Sequence, residues 1–164
     1  MTDELIIRAA KSRDVDQIWD IIHKVIKSGD SYAFAPDSSK EKMLAYWMAE
    51  KMYTYVAEYQ KSIVGTFFIT DNQPGLGSHV ANAGYMVHPN LRGLGLGKKL
   101  GQFSIKEAKR LGYHALQFNF VVKSNITAIS LWKSLDFQIV GEIPNAYQHQ
   151  QSGLTNVYVL YREL

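Results

Sequence analysis

The chain has 164 residues, 46% of them apolar and 20% charged, which suits one globular domain with a full hydrophobic core. It contains no cysteine, which excludes disulfides, thiolate metal sites and a cysteine acyl-enzyme. A net charge of +3 spread over scattered lysines gives no clustered footprint for a nucleic acid. No apolar run is long enough to span a bilayer and no signal pattern opens the chain, so a single cytoplasmic domain over 1–164 is expected, with no membrane partner.

Residues 5–9 read as a first strand. Ser12 is placed to cap a helix whose Ile18, Ile22, Val25 and Ile26 share one face, and Gly29 closes it. Residues 30–38, with Tyr32, Phe34 and Pro36, read as a loop. Ser38 and Glu41 then form a capping-box pattern for a second helix through Met43, Leu44, Trp47 and Met48. Two β-rich runs, 53–59 and 63–70, are separated by Gln60-Lys61-Ser62, the spacing of an antiparallel hairpin. Pro74, Gly75 and Gly77 mark a surface loop before a fourth strand that ends at Val87. A helix begins at Lys98 and stops at Gly112. Residues 114–122 read as a strand, 125–135 as a helix and 137–140 as a strand. An Asn/Gln/His-rich loop and a closing strand at 155–161 follow. A meander that turns into alternating β–α units predicts a mixed α/β sheet.

The densest signal lies between the fourth strand and the helix after it: Val87-His88-Pro89-Asn90-Leu91-Arg92-Gly93-Leu94-Gly95-Leu96-Gly97-Lys98. Glycines at alternate positions expose successive backbone N–H groups at a helix N-terminus, where the macrodipole favours anions. A phosphate-bearing cofactor is the expected ligand; the bland reading is a tight strand–helix turn. Walker spacing fails, because the position five before Gly97 is Arg92 and Lys98 is followed by Lys99. Rossmann spacing fails too, since Leu100 stands where the third glycine belongs.

What remains, Arg92-x-x-Gly95-x-Gly97 after a Val-x-Pro, resembles the coenzyme A pyrophosphate loop of the Gcn5-related N-acetyltransferase (GNAT) superfamily. The run from Asn125 through Ala128, Leu131, Trp132 and Leu135 to Phe137 is similar to the same family's N-x-x-A-x-x-L-Y-x-x-x-G-F segment. The resemblance implies a mixed, mostly antiparallel seven-stranded sheet with about four helices, splayed between strands four and five. It further implies acetyl-CoA as donor, bound by the backbone of Gly93, Leu94, Gly95, Leu96, Gly97 and Lys98 with Arg92 adding charge. The pantetheine arm would lie against Met86 and Val87 and reach Asn125 and Trp132. Asn125 would serve equally as an ordinary helix N-cap, and Trp132 as core packing. The family's dimers make a homodimer an available state.

Two departures bear on chemistry. Trp132 occupies the helix position where the family often has a tyrosine that protonates the leaving thiolate, and an indole N–H is no proton source. Strand four, His79-Val80-Ala81-Asn82-Ala83-Gly84-Tyr85-Met86-Val87, holds no carboxylate to act as base. The phrases around Asn82 and Asn119 look like a branch of the superfamily that acetylates proline analogues. There, residues matching Asn82 and Asn119 hold the acceptor and an aromatic matching Tyr85 packs on it. Alternation puts Gln117, Asn119 and Val121 on one face of their strand, and Phe118 and Phe120 on the other. Tyr32 and Phe34 sit where the family builds its acceptor lid. The implied activity is direct acetyl transfer to a small-molecule amine, such as a proline analogue or another amino acid. A peptide acceptor and a non-catalytic acyl-CoA-binding module are the alternatives. The five histidines show no metal-ligand spacing, so no metal is expected.

Overall fold

The computed structural model describes residues 4–91 and 93–164. Seven strands form one sheet in the order β1-β2-β3-β4-β5-β7-β6. They are β1 (Ile6–Ala9), β2 (Tyr53–Tyr59), β3 (Ser62–Asp71), β4 (Val80–Val87), β5 (Ala115–Val122), β6 (Gln138–His149) and β7 (Gly153–Glu163). Every neighbouring pair is antiparallel except β4 and β5, which are parallel. The helices are α1 (Val15–Ser28), α2 (Lys40–Trp47), α3 (Leu96–Arg110) and α4 (Ile126–Ser134).

Each helix covers the sheet with the stripe its sequence carries. Ile18, Ile21, Ile22, Val25 and Ile26 of α1 are buried with Met43 and Trp47 of α2, against Val56, Ile63, Phe68 and Met86. On the opposite face Leu96, Leu100 and Ala108 of α3 and Trp132 of α4 pack over Phe67, Ala81, Leu116, Phe118 and Leu160. The hairpin between β2 and β3 turns through Gln60 (φ 48°) and Lys61 (φ 63°), a primed turn that matches strand twist.

Three local expectations are corrected. The N-cap of α2 is Ser39, whose side chain accepts from the Lys42 amide at 3.2 Å, one residue later than the Ser38 pattern suggested. The Asn/Gln/His-rich stretch is not a loop. It continues β6 to His149, because β7 pairs it as far as Tyr147↔Thr155 and His149↔Gly153, while its polar side chains face solvent at the sheet edge. In β5 the β7 register shifts between Phe118 and Val121. That bulge breaks the alternation: Val121 joins Phe118 in one core cluster, and Phe120 turns out to the surface beside Tyr147.

The start of the chain is held by a buried ion pair. Asp14, 3% exposed, takes both Arg8 guanidinium nitrogens at 2.8 and 2.9 Å and the Lys11 amide at 2.7 Å. The Arg8 hydrogen bonds hold its carboxyl below the usual aspartate range. A lowered folded pKa contributes stability above the unfolded value near 4, and that stability is lost as pH falls through the folded value. Asp14→Asn should therefore lower stability by about 1–3 kcal/mol at neutral pH. The difference from wild type should shrink progressively as pH falls below about 4. Urea unfolding across that pH range measures it, and a pH-independent difference would show that the charge is not responsible.

Candidate active site

β4 and β5 pair at Val80↔Ala115 and Ala81↔Leu116 only, and then part. On its other side β4 is fully laddered to β3, with Asn72 N–H donating to Val80 C=O and His88 N–H to Val64 C=O, each at 2.9 Å. In an antiparallel ladder the backbone groups of alternate residues face the partner. The even-numbered residues of β4, Asn82, Gly84 and Met86, therefore spend their amides on β3. The odd ones, Ala83, Tyr85 and Val87, aim theirs into the opening toward β5. Of the two residues expected to meet a cofactor arm, Val87 is so placed. Met86 is not: its backbone lies in the ladder and its side chain, 2% exposed, is buried under α1.

The closed end of the opening is bridged by side chains. Asn82 donates to the Gln117 carbonyl at 3.2 Å, in effect adding one rung where the main chains have separated. Gln117 Nε2 donates to Asn119 Oδ1 at 3.0 Å, and Asn119 Nδ2 to Asn72 Oδ1 at 2.6 Å. The two candidate asparagines thus belong to one hydrogen-bonded chain. Asn82 is half-buried and Asn119 exposed. Asn72 was legible only as part of a turn-rich loop, and nothing in its local pattern marked it as an anchor for Asn119.

The wall on the α3/α4 side is aromatic. Tyr85 lies 4.8 Å from Trp132 and 5.7 Å from Phe118 between ring centroids, with Phe137 behind them. Tyr85 Oη meets Ser104 Oγ at 2.6 Å, and Ser104 donates on to the Gly101 carbonyl. Burial pushes the Tyr85 phenol well above its ordinary range. Tyr85 therefore projects to the face opposite Asn82, and strand alternation keeps the two side chains apart. Trp132, 7% exposed, packs as a wall residue. Ser104 went unnoticed in the sequence because a lone serine within a helical stripe carries no local signal.

Opposite this wall is the 30–38 loop. Tyr32 Oη accepts the Tyr85 N–H at 2.8 Å and donates to the Tyr85 carbonyl. Its ring stacks on Phe34, which meets Tyr46 edge-on.

At the open end lies the glycine-dense turn. Gly93 (φ 84°) and Gly95 (φ 71°) adopt left-handed conformations that side chains disfavour, and a Cβ added to either would meet nothing within 4 Å. The space above this backbone is thus clear. Gly95 is the N-cap of α3 and offers no side chain, and the first bond into the helix is Lys99 N–H to Gly95 C=O at 3.1 Å. The amides of Leu96, Gly97 and Lys98 are left without a helical partner at the positive end of the dipole. Lys98 and Lys99 are exposed on the same turn. Gly97 also lets α4 approach, since a Cβ there would meet Leu131 at 3.2 Å. Arg92 lies outside the described residues. At the start of α4, Asn125 Oδ1 accepts the Ala128 amide at 3.2 Å as an N-cap, which leaves its Nδ2 for another partner.

A model of the acetyltransferase (GNAT) family matches residues 19–137, the span from α1 through α4 that builds both walls and the turn. The chain belongs to that family. This GNAT chain is 35% identical to a Gcn5-related N-acetyltransferase from Kribbella flavida, with a TM-score of 0.93 over 98% of each chain. The yncA structure from Salmonella typhimurium, solved with its cofactor acetyl-CoA, superposes with a TM-score of 0.87 over 98% of this chain and 94% of that one, at 22% identity. N-acetyltransferase aca1 of Schizosaccharomyces pombe is 36% identical over 98 residues, 60% of this chain. The chain spans about half the length of that curated relative, the match covering 47% of it. The GNAT sheet expected from the residue motifs, including the parting of strands four and five, is the one observed. Among the described residues no helix is long and apolar enough to cross a membrane, and no cluster of metal-ligating side chains occurs.

Proposed function

We propose that this chain transfers the acetyl group of acetyl-CoA directly to the amine of a small molecule, an amino acid or proline analogue. One observation carries the reading: an uncapped helix N-terminus opens directly onto a run of unpaired β4 backbone. The first suits a pyrophosphate and the second an extended amide-bearing arm, and both features belong to one ligand. The donor supplies a thioester whose acyl carbon accepts an amine and whose sulfur leaves.

The chain's own groups meet the needs of that exchange. The Gly93 to Lys98 backbone holds the diphosphate without any required side chain, and exposed Lys98 adds charge. Outward N–H groups of β4, Val87 among them, are donors able to hold a thioester carbonyl and the negative charge that grows on it. Asn82 and Asn119 offer amides that orient a carboxylate or amine but cannot take its proton. With no carboxylate along Val80–Val87, the amine surrenders its proton to water, and aminolysis depends on alignment. As the carbon–nitrogen bond forms and the carbon–sulfur bond breaks, the thiolate recovers a proton from solvent or a hydroxyl, since Trp132 has none to give.

Two measurements test this. Gly95→Val puts a β-branched residue at φ 71° in the turn. It should weaken coenzyme A binding at least about tenfold in calorimetry while far-ultraviolet circular dichroism stays native. Unchanged affinity would move the cofactor elsewhere. The second measurement is thiol release from acetyl-CoA against proline analogues, oxidised methionine-type amino acids and short peptides. An amino-acid acceptor should turn over, and Asn82→Ala should lower kcat/KM for it about 10-fold or more with coenzyme A affinity retained. Turnover with peptides alone would make the acceptor a polypeptide, and no release with any amine would leave an acyl-CoA-binding module.

A further inference from the structure

We propose that Tyr32 gates the donor channel: its hydroxyl holds the place on β4 that the donor arm must take. Donor binding then displaces that hydroxyl from the Tyr85 backbone. This rests on the reading above, in which the arm lies along β4.

Beyond Ala81 the opening leaves one edge of β4 without main-chain partners. Ala83, Tyr85 and Val87 aim backbone groups toward β5, and Tyr85 is the middle one. At a strand rise of about 3.3 Å per residue, it lies roughly 7 Å from Val87 and the same from Ala83. An arm entering from the α3 N-terminus and running toward the closed end at Ala81 and Leu116 must pass it. Yet both its N–H and its carbonyl are already occupied by one hydroxyl from across the opening. A phenol can do this because it carries one proton and two lone pairs. Burial keeps the Tyr32 phenol protonated by raising it above its ordinary range, so the donating half of the contact persists at any ordinary pH.

The segment that carries Tyr32 runs between two fixed ends. At its root, Gly29 ends α1 in a left-handed cap, and its carbonyl accepts Tyr147 Oη from β6 at 2.5 Å. At its far end Ser39 caps α2. Between them the described backbone has no helix or strand, and Tyr32 and Phe34 stack on each other and pack against the α1/α2 core cluster. The loop is therefore fixed at both ends and held at its middle by two hydrogen bonds and by apolar packing.

Exchanging those hydrogen bonds for equivalent ones from the donor is close to neutral, so the gate lowers apparent donor affinity by the fraction of time it stands open. The loop also carries the acceptor-side candidates Tyr32 and Phe34. Displacing the hydroxyl therefore disturbs a residue on the acceptor side as well.

Calorimetry with coenzyme A decides the matter. Tyr32→Phe keeps the ring and removes the two hydrogen bonds, and it should bind coenzyme A about three- to tenfold more tightly than wild type. A role as a cofactor ligand predicts weaker binding, and a merely structural role predicts no gain. Equal or weaker binding overturns the gate. Should Tyr32→Phe lose its native circular dichroism, Phe34→Ala, which removes the ring that props Tyr32, takes its place under the same criterion. A wild-type chain that binds no coenzyme A would overturn the donor site itself, a result distinct from failure of the gate.

Discussion

β4 and β5 run parallel and share main-chain pairing only at Val80↔Ala115 and Ala81↔Leu116, and the width that opens beyond those rungs governs the rest of the structure. Strands in the middle of a sheet rarely leave backbone groups without partners, because an unpaired buried amide is costly. Here two features flank the separation. The register shift after Phe118 bends β5, and Tyr85, Phe118 and Trp132 pack together on the α3/α4 side. The chain offsets part of the cost with side chains: Asn82 reaches the Gln117 carbonyl, and Tyr32 covers Tyr85. Ala83 and Val87 still face the opening.

The turn after β4 supplies the complementary half. An N-cap without a side chain leaves α3 with free amides and a positive dipole end where the opening begins. A ligand with an anionic head and an amide-rich tail satisfies both features at once. Neither feature specifies an amine. On the opposite face Asn82, Gln117 and Asn119 form a neutral hydrogen-bonded chain without a carboxylate.

Much of this was legible in the residues, for physical reasons that differ from place to place. Gly93 and Gly95 announced the turn because only glycine is comfortable at their φ, and failed Walker and Rossmann spacings removed its competitors. Helices α1 and α2 followed from apolar periodicity. The extent of β6 was hidden because an edge strand needs no apolar alternation once β7 satisfies its backbone. The orientation of Phe120 and Val121 was misjudged because a bulge is a tertiary feature with no local residue signature. Which of Met86 and Val87 faces the opening depends on the phase of the β3–β4 ladder, which composition does not encode. Tyr32 and Phe34 were readable as loop residues, but the hydrogen bonds that tie Tyr32 to Tyr85 span 53 positions of sequence.

The central claim is that the unpaired side of β4 is the seat of the coenzyme A arm. Residue-resolved amide hydrogen exchange, with and without coenzyme A, tests it most directly. Ala83 and Val87 should exchange quickly alone and become strongly protected on binding. Asn82, Gly84 and Met86, already laddered to β3, should be protected equally in both states. Protection of the even-numbered amides alone, or no change at Ala83 and Val87 under saturating coenzyme A, would contradict the account.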